Sequence, residues 1–165
     1  MRLDPCVAER TALECIAMSR KILVLNGPNL NMLGQREPDV YGHETLEDIR
    51  NRCDSRADSL GLSVDFRQSN HEGELVEWIQ EAAGAGAGGI IINGGAYTHT
   101  SIAILDALRA VDVPVLEVHL SNIHRREEYR SRSFISQASD GMICGCGSLG
   151  YELALEALAN KLNAE

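Results

Sequence analysis

His119, Ser121, His124, Arg125, Arg126 and Arg130 crowd into one stretch of the chain, directly after the run Pro114 to Val118, which is apolar apart from Glu117. Such a run forms a buried strand, so these groups are set down where a strand ends. An imidazole is the side chain that gives up or takes a proton near neutral pH, and a guanidinium is a permanent cation shaped to hold a carboxylate. Together they suit acid catalysis on an anionic substrate. The plainer reading is a satisfied histidine followed by a solvated charged helix, because His and Arg are common at surfaces. Other strand ends have to decide between the two.

The stretch Asn93-Gly-Gly-Ala-Tyr-Thr-His-Thr-Ser101 places an amide, two glycines, several hydroxyls and His99 between an apolar run and a helix. Glycines let backbone N–H groups approach a ligand, and the N-terminus of a following helix favours a carboxylate or oxyanion. A simple glycine turn with hydroxyl caps is the alternative. Tyr41 shares a loop with Arg36, downstream of the turn Asn26-Gly-Pro-Asn29. A phenol with pKa near 10 acts as a base at neutral pH only when its phenolate is favoured by roughly 4 kcal/mol, which adjacent guanidinium charge can supply.

Several chemistries are disfavoured. The two lysines, Lys21 and Lys161, both lie away from the carboxyl ends of strands, which speaks against a Schiff base. His43, His71, His99, His119 and His124 lack the carboxylate-rich spacing of a metal site, and no metal or cofactor is expected. Cys144-Gly-Cys146 has no second ligand pair and is expected in the core. Gly145-Cys-Gly-Ser-Leu-Gly150 matches G-x-G-x-x-G, but no second strand follows to present an acidic residue to a ribose. Close helix packing is the better reading there. No Walker A sequence occurs, so phosphoryl transfer by that route is excluded.

These groups need a scaffold. Lys21 to Asn26, Leu62 to Arg67, Ile90 to Asn93, Pro114 to Val118 and Gly141 to Cys144 read as strands. Between them, helices are expected from Thr45-Leu-Glu-Asp48, which resembles a capping box, to Gly61, over Glu72 to Ala83, over Thr98 to Ala110, and over Ser148 to Leu162. Leu30 to His43 is left as a loop long enough to act as a lid. Alternating strands and helices with continuous apolar strands predict a parallel sheet covered on both faces. The expectation is an α/β, flavodoxin-like three-layer sandwich with a five-stranded parallel sheet in the order 2-1-3-4-5. In such sheets ligands gather outside the carboxyl ends of the strands. Asn29, Arg36, Tyr41, Asn70, His71, Asn93 to Ser101 and His119 to Arg130 all fall there.

With 165 residues and 44% apolar content, the chain is long enough for one domain with a substantial core. A formal net charge of −9 opposes nucleic-acid binding, which runs on phosphate neutralisation. Any anion site must therefore be a local concentration of arginine. Cys6, Cys15, Cys53, Cys144 and Cys146 form no even disulfide framework, as expected of reduced thiols in a cytoplasmic protein. No run reaches the length of a membrane span. Residues 1 to 20, broken by Asp4, Glu9, Arg10 and Glu14, are expected to be a disordered or weakly helical leader, with Met18 a candidate start and a single catalytic domain over 21 to 165.

Five motifs in order carry a resemblance: Asn26-Gly-Pro-Asn-Leu-Asn; Gly34-Gln-Arg-Glu-Pro with Tyr41-Gly; Gln68-Ser-Asn-His-Glu-Gly-Glu-Leu; Asn93-Gly-Gly-Ala-Tyr-Thr-His-Thr-Ser; and Glu117-Val-His-Leu-Ser-Asn-Ile-His with Arg126-Glu-Glu. From Lys21 to Leu162 the chain resembles the type II dehydroquinases, which mostly carry Pro or Ala where Gly94 stands here. The resemblance implies reversible anti dehydration of 3-dehydroquinate to 3-dehydroshikimate through an enolate, without cofactor. It makes Tyr41 the base, Arg36 the group that lowers its pKa, Asn29 the holder of an enolate-stabilising water, and His119 the acid, oriented by Glu117. Asn93, His99, Leu120, Ser121 and Arg130 would bind the substrate, Arg126 would close over the site, and Asp106 would reach toward a neighbouring subunit. It also implies a homododecamer built of trimers. The rivals are a flavodoxin-like module holding FMN or phosphate at the same strand ends, and an isomerase or lyase acting on another polyhydroxy carboxylate.

Overall fold

The computed structural model describes residues 20–34 and 44–164. The leader expected over residues 1 to 20 falls almost wholly outside the described residues, as do Arg36, Tyr41 and most of the expected lid loop. Among the described residues are five strands: β1 (Arg20–Asn26), β2 (Leu62–Gln68), β3 (Gly89–Asn93), β4 (Val115–His119) and β5 (Gly141–Cys144). They form one parallel sheet in the order β2-β1-β3-β4-β5, the order read from the sequence. Four α-helices join them: α1 (Leu46–Ser59), α2 (Glu72–Gly84), α3 (Ile102–Arg109) and α4 (Leu149–Asn163).

Alternation along each strand assigns the faces. Ile22, Val24, Ile91, Leu116 and Val118 point into a core shared with Ile49 and Cys53 of α1 and Leu155 and Leu158 of α4. Leu23, Leu25, Ile90, Ile92 and Val115 point the other way, against Leu75 and Ile79 of α2 and Ile104 and Leu108 of α3. A sheet sandwiched on both faces explains the continuous apolar strands. By the same parity Asn26 and Asn93 face α4, while Glu117 and His119 face the side of α2 and α3.

The capping box at α1 is formed: the Thr45 hydroxyl accepts from Asp48 N–H, and the Asp48 carboxylate accepts from Thr45 N–H at 2.9 Å. The third helix corrects the sequence expectation. Instead of beginning at Thr98, the chain forms a 3-10 turn over Gly95–His99, and α3 starts only after Ser101, whose hydroxyl accepts from Ile104 N–H at 2.8 Å. Gly95 sits at φ +55°, outside the right-handed helical region, so the chain makes a 3-10 turn here instead of the first turn of the α-helix. The cysteine pair also departs from expectation, for Cys144 is half-buried and Cys146 exposed, because the strand ends at Cys144 and the chain turns outward through Gly145 and Gly147. Gly150 is packed as expected; a Cβ there would lie 3.3 Å from Val118 Cγ1.

Candidate active site

The order reversal between β1 and β3 leaves a crevice at their carboxyl ends, the usual ligand position in a doubly wound sheet. Asn26 and Asn93 are register partners at that edge. The turn after β1 presses closely on the turn after β3: Gly27 N–H donates to the Asn93 carbonyl at 2.8 Å, and a Cβ on Gly27 would lie 2.3 Å from the Gly94 carbonyl oxygen. Only glycine allows that approach. Tyr151 of α4, fully buried, joins the two strand ends from behind. Its hydroxyl donates to Asn26 Oδ1 at 2.6 Å and accepts from Asn93 Nδ2 at 2.9 Å.

Asn29 follows at φ 66°, in the left-handed region that asparagine tolerates. Its N–H donates to Asn70 Oδ1 at 2.9 Å, while the Asn70 carbonyl accepts from Tyr97 Oη at 2.7 Å. Asn70 thus pins the start of the Asn29 turn to the wall formed by residues 95–99.

His119 and Glu117 sit two apart on β4 and so share a face. His119 Nε2 lies 2.8 Å from Glu117 Oε1, with Glu117 wholly buried and His119 5% exposed, so water competes little for this contact. The contact engages Nε2 with Glu117 and leaves Nδ1 to serve the cavity. Ser133 Oγ also donates to Glu117, at 2.8 Å to Oε1 and 3.0 Å to Oε2. His99 Nδ1 donates to the Arg132 carbonyl at 2.7 Å. Burial lowers the His99 pKa from its ordinary 6.5, and the charges of His119 and Arg130 act in the same direction, against the Arg132 carbonyl. His99 is therefore neutral at pH 7, with Nε2 an acceptor.

These side chains enclose a cavity of about 220 Å³ lined by Asn29, Asn93, His99, His119, Leu120, Ser121, Arg126 and Arg130, among others. That is below the size of a drug-like pocket and suits one small ring with its substituents. Arg130 Nε donates to Glu127 Oε2 at 3.0 Å and Arg126 Nε lies 3.6 Å from the same oxygen. Glu127, a cavity residue that the sequence reading passed over, holds both cations at the rim.

Of the residues singled out in the sequence, eight line one cavity and Glu117 stands directly behind His119. Asp106 does not join them; it is exposed on α3. Tyr41 and Arg36 lie outside the described residues. Ser133 and Tyr151 were not singled out as site residues, and their roles arise only from contacts between distant parts of the chain; Asn70, placed at a strand end by the sequence, does not line the cavity but braces the Asn29 turn behind it.

Comparison with known proteins is consistent throughout. The model of the family described as "Dehydroquinase class II" matches residues 20–159. The chain is 61% identical over 143 residues to the 3-dehydroquinate dehydratase 1 of Agrobacterium fabrum, covering 87% of this chain and 98% of that one. It is 60% identical over 144 residues to the 3-dehydroquinate dehydratase of Mesorhizobium japonicum, with 87% and 99% covered. The crystal structure of a type II dehydroquinase from Propionibacterium acnes superposes with a TM-score of 0.83 at 47% identity, over 87% of this chain and 98% of that one.

Proposed function

We propose, from the premise that the chain belongs to the class II dehydroquinase family, that its cavity works by a tyrosine base and a histidine acid. As a member it is a hydro-lyase that dehydrates 3-dehydroquinate to 3-dehydroshikimate, a reaction of the shikimate pathway. The observation that carries the mechanistic reading is the buried Glu117–His119 pair at the wall of a small cavity rimmed by Arg126 and Arg130.

Elimination beside a ketone needs a base, an acid on the opposite face and a place for enolate charge. Tyr41, as phenolate, takes the proton next to the carbonyl, with Arg36 favouring the charged form. The electron pair moves to the carbonyl oxygen, giving an enolate steadied by a water that Asn29 holds. The enolate then collapses, the carbon–oxygen bond breaks, and His119 delivers the proton that releases the hydroxyl as water. Glu117 fixes the ring of His119. Asn93, His99, Leu120 and Ser121 hold hydroxyls and carboxylate, Arg130 pairs with the carboxylate, and Arg126 closes over it. No tyrosine among the described residues lines the cavity. The Tyr97 hydroxyl donates to Asn70, and burial pushes the Tyr151 phenol further from ionisation, which supports Tyr41 for the base.

The catalytic unit spans residues 21 to 165, and we place it in the cytoplasm as a homododecamer in which Asp106, exposed on α3, serves a neighbouring copy. Sedimentation at the mass of a monomer contradicts that assembly. Whether it serves aromatic biosynthesis or quinate breakdown, which use the same reaction, is read from a deletion strain: loss of growth without aromatic amino acids assigns the first, loss of growth on quinate the second.

Following the conjugated product in the ultraviolet tests the mechanism. Tyr41→Phe and His119→Asn each lower turnover by about 10²- to 10⁴-fold, the usual contribution of a positioned base or acid. His119→Asn retains substrate affinity. Near-normal turnover in either variant removes that residue from its role.

A further inference from the structure

We infer that Ser133 is a positioning residue for the acid of the reaction, fixing the Glu117 carboxylate so that the ring of His119 is held in one orientation. The inference rests on the reading of His119 as the acid.

A serine hydroxyl has one proton to give, and here its destination is settled. Ser136 N–H donates to Ser133 Oγ at 2.9 Å, so an oxygen lone pair is taken and the hydroxyl proton is turned toward Glu117. It bridges the carboxylate, 2.8 Å from Oε1 and 3.0 Å from Oε2, while His119 Nε2 lies 2.8 Å from Oε1. The terminal torsion of glutamate is broad, so a single contact to the histidine leaves the carboxylate plane free to turn. A second donor spanning both oxygens removes that freedom. Glu117 is wholly buried and Ser133 only 9% exposed, so water is poorly placed to replace a lost hydroxyl.

The backbone leaves Ser133 little slack. On one side the Arg132 carbonyl accepts from His99 Nδ1 at 2.7 Å, and on the other Phe134 N–H donates to the Thr98 carbonyl at 2.8 Å. Three consecutive residues therefore tie the His99 wall of the cavity to the Glu117–His119 pair. Ser133 is not among the residues that line the cavity. Its effect passes through Glu117.

A hydrogen bond to a charged group, lost without replacement, predicts that Ser133→Ala lowers kcat by about 10- to 100-fold while KM changes by less than about twofold. Ser133→Thr, which restores the hydroxyl, recovers most of kcat. Ser133→Ala adds no further loss in a Glu117→Gln background, because the partner through which it acts is already altered. Should the alanine variant not fold, Ser133→Cys, close in size and a weak donor, carries the same test with the same expected loss of kcat. Wild-type kcat in the Ala or Cys variant overturns the inference, as does a loss that the threonine variant shares in full. If His119→Asn is inactive while Ser133→Ala is not, only this inference fails. If His119→Asn turns over normally, the proposed mechanism itself fails.

Discussion

Burial holds His99 below the ordinary imidazole value of 6.5, and its Nδ1 proton is committed to the Arg132 carbonyl. At neutral pH its Nε2 is therefore a bare acceptor at the wall of the cavity. Protonation reverses this, turning an acceptor into a donor and adding a cation to a cavity that already holds Arg126 and Arg130. Because the folded pKa lies below 6.5, the acceptor is fully present above that value and is lost as pH falls through the depressed one. The stability that His99 contributes follows the same sign: the unfolded chain takes up the proton first, so stability declines as pH drops below 6.5. KM for 3-dehydroquinate is thus expected to be flat from about pH 8 to 6.5 and to rise in more acid solution. In His99→Gln it is raised at every pH and loses that acid limb. A KM that improves in acid would mean that imidazolium is the binding form.

At the level of elements, each strand lies within a residue or so of the position that the apolar runs predict, and the strand order is the one that five strands in a chain of this length suggest. Thr45 with Asp48 was legible because a capping box is local. The start of α3 was not, since Thr98, Thr100 and Ser101 all look like caps and only the turn at Gly95 chooses among them. Ser133 and Tyr151 were illegible for a related reason. Their partners are 16 residues away for Ser133 and 58 and 125 away for Tyr151, and no spacing in the chain announces such pairs. Tyr151 in particular makes α4 responsible for the ends of β1 and β3. Replacing it by Phe leaves Asn26 Oδ1 and Asn93 Nδ2 buried without that partner, at a cost of about 1–3 kcal/mol for each unsatisfied group. A lower urea midpoint at unchanged slope is expected of Tyr151→Phe, and KM rises as the Asn93 amide loses its anchor. An unshifted midpoint would show that the hydroxyl contributes nothing net to joining the two strands.

The molecule as a whole is acidic, with a formal charge of −9, yet it acts on an anion. Distance decides which field the substrate feels. Arg126 and Arg130 line the cavity, within reach of a bound anion, whereas among the described residues most carboxylates are exposed on the outer surface. Glu127, 3.0 Å from Arg130 and 3.6 Å from Arg126, already takes up part of their charge, so the attraction is short in range and the substrate carboxylate must compete for it. The screening length is about 30 Å at 0.01 M salt, 10 Å at 0.1 M and 3 Å at 1 M. Raising salt over the first interval screens the distant repulsion while leaving contacts inside the cavity intact; over the second it begins to weaken the cavity as well. The expected profile of kcat/KM with ionic strength therefore rises or holds between about 0.01 and 0.1 M and falls toward about 1 M. In Arg130→Ala the fall at high salt is smaller, since there is less attraction to screen. A steady decline from the lowest salt would mean that the net charge of the surface is not felt at the site. A steady rise through the highest salt would mean that the cavity arginines do not attract the substrate.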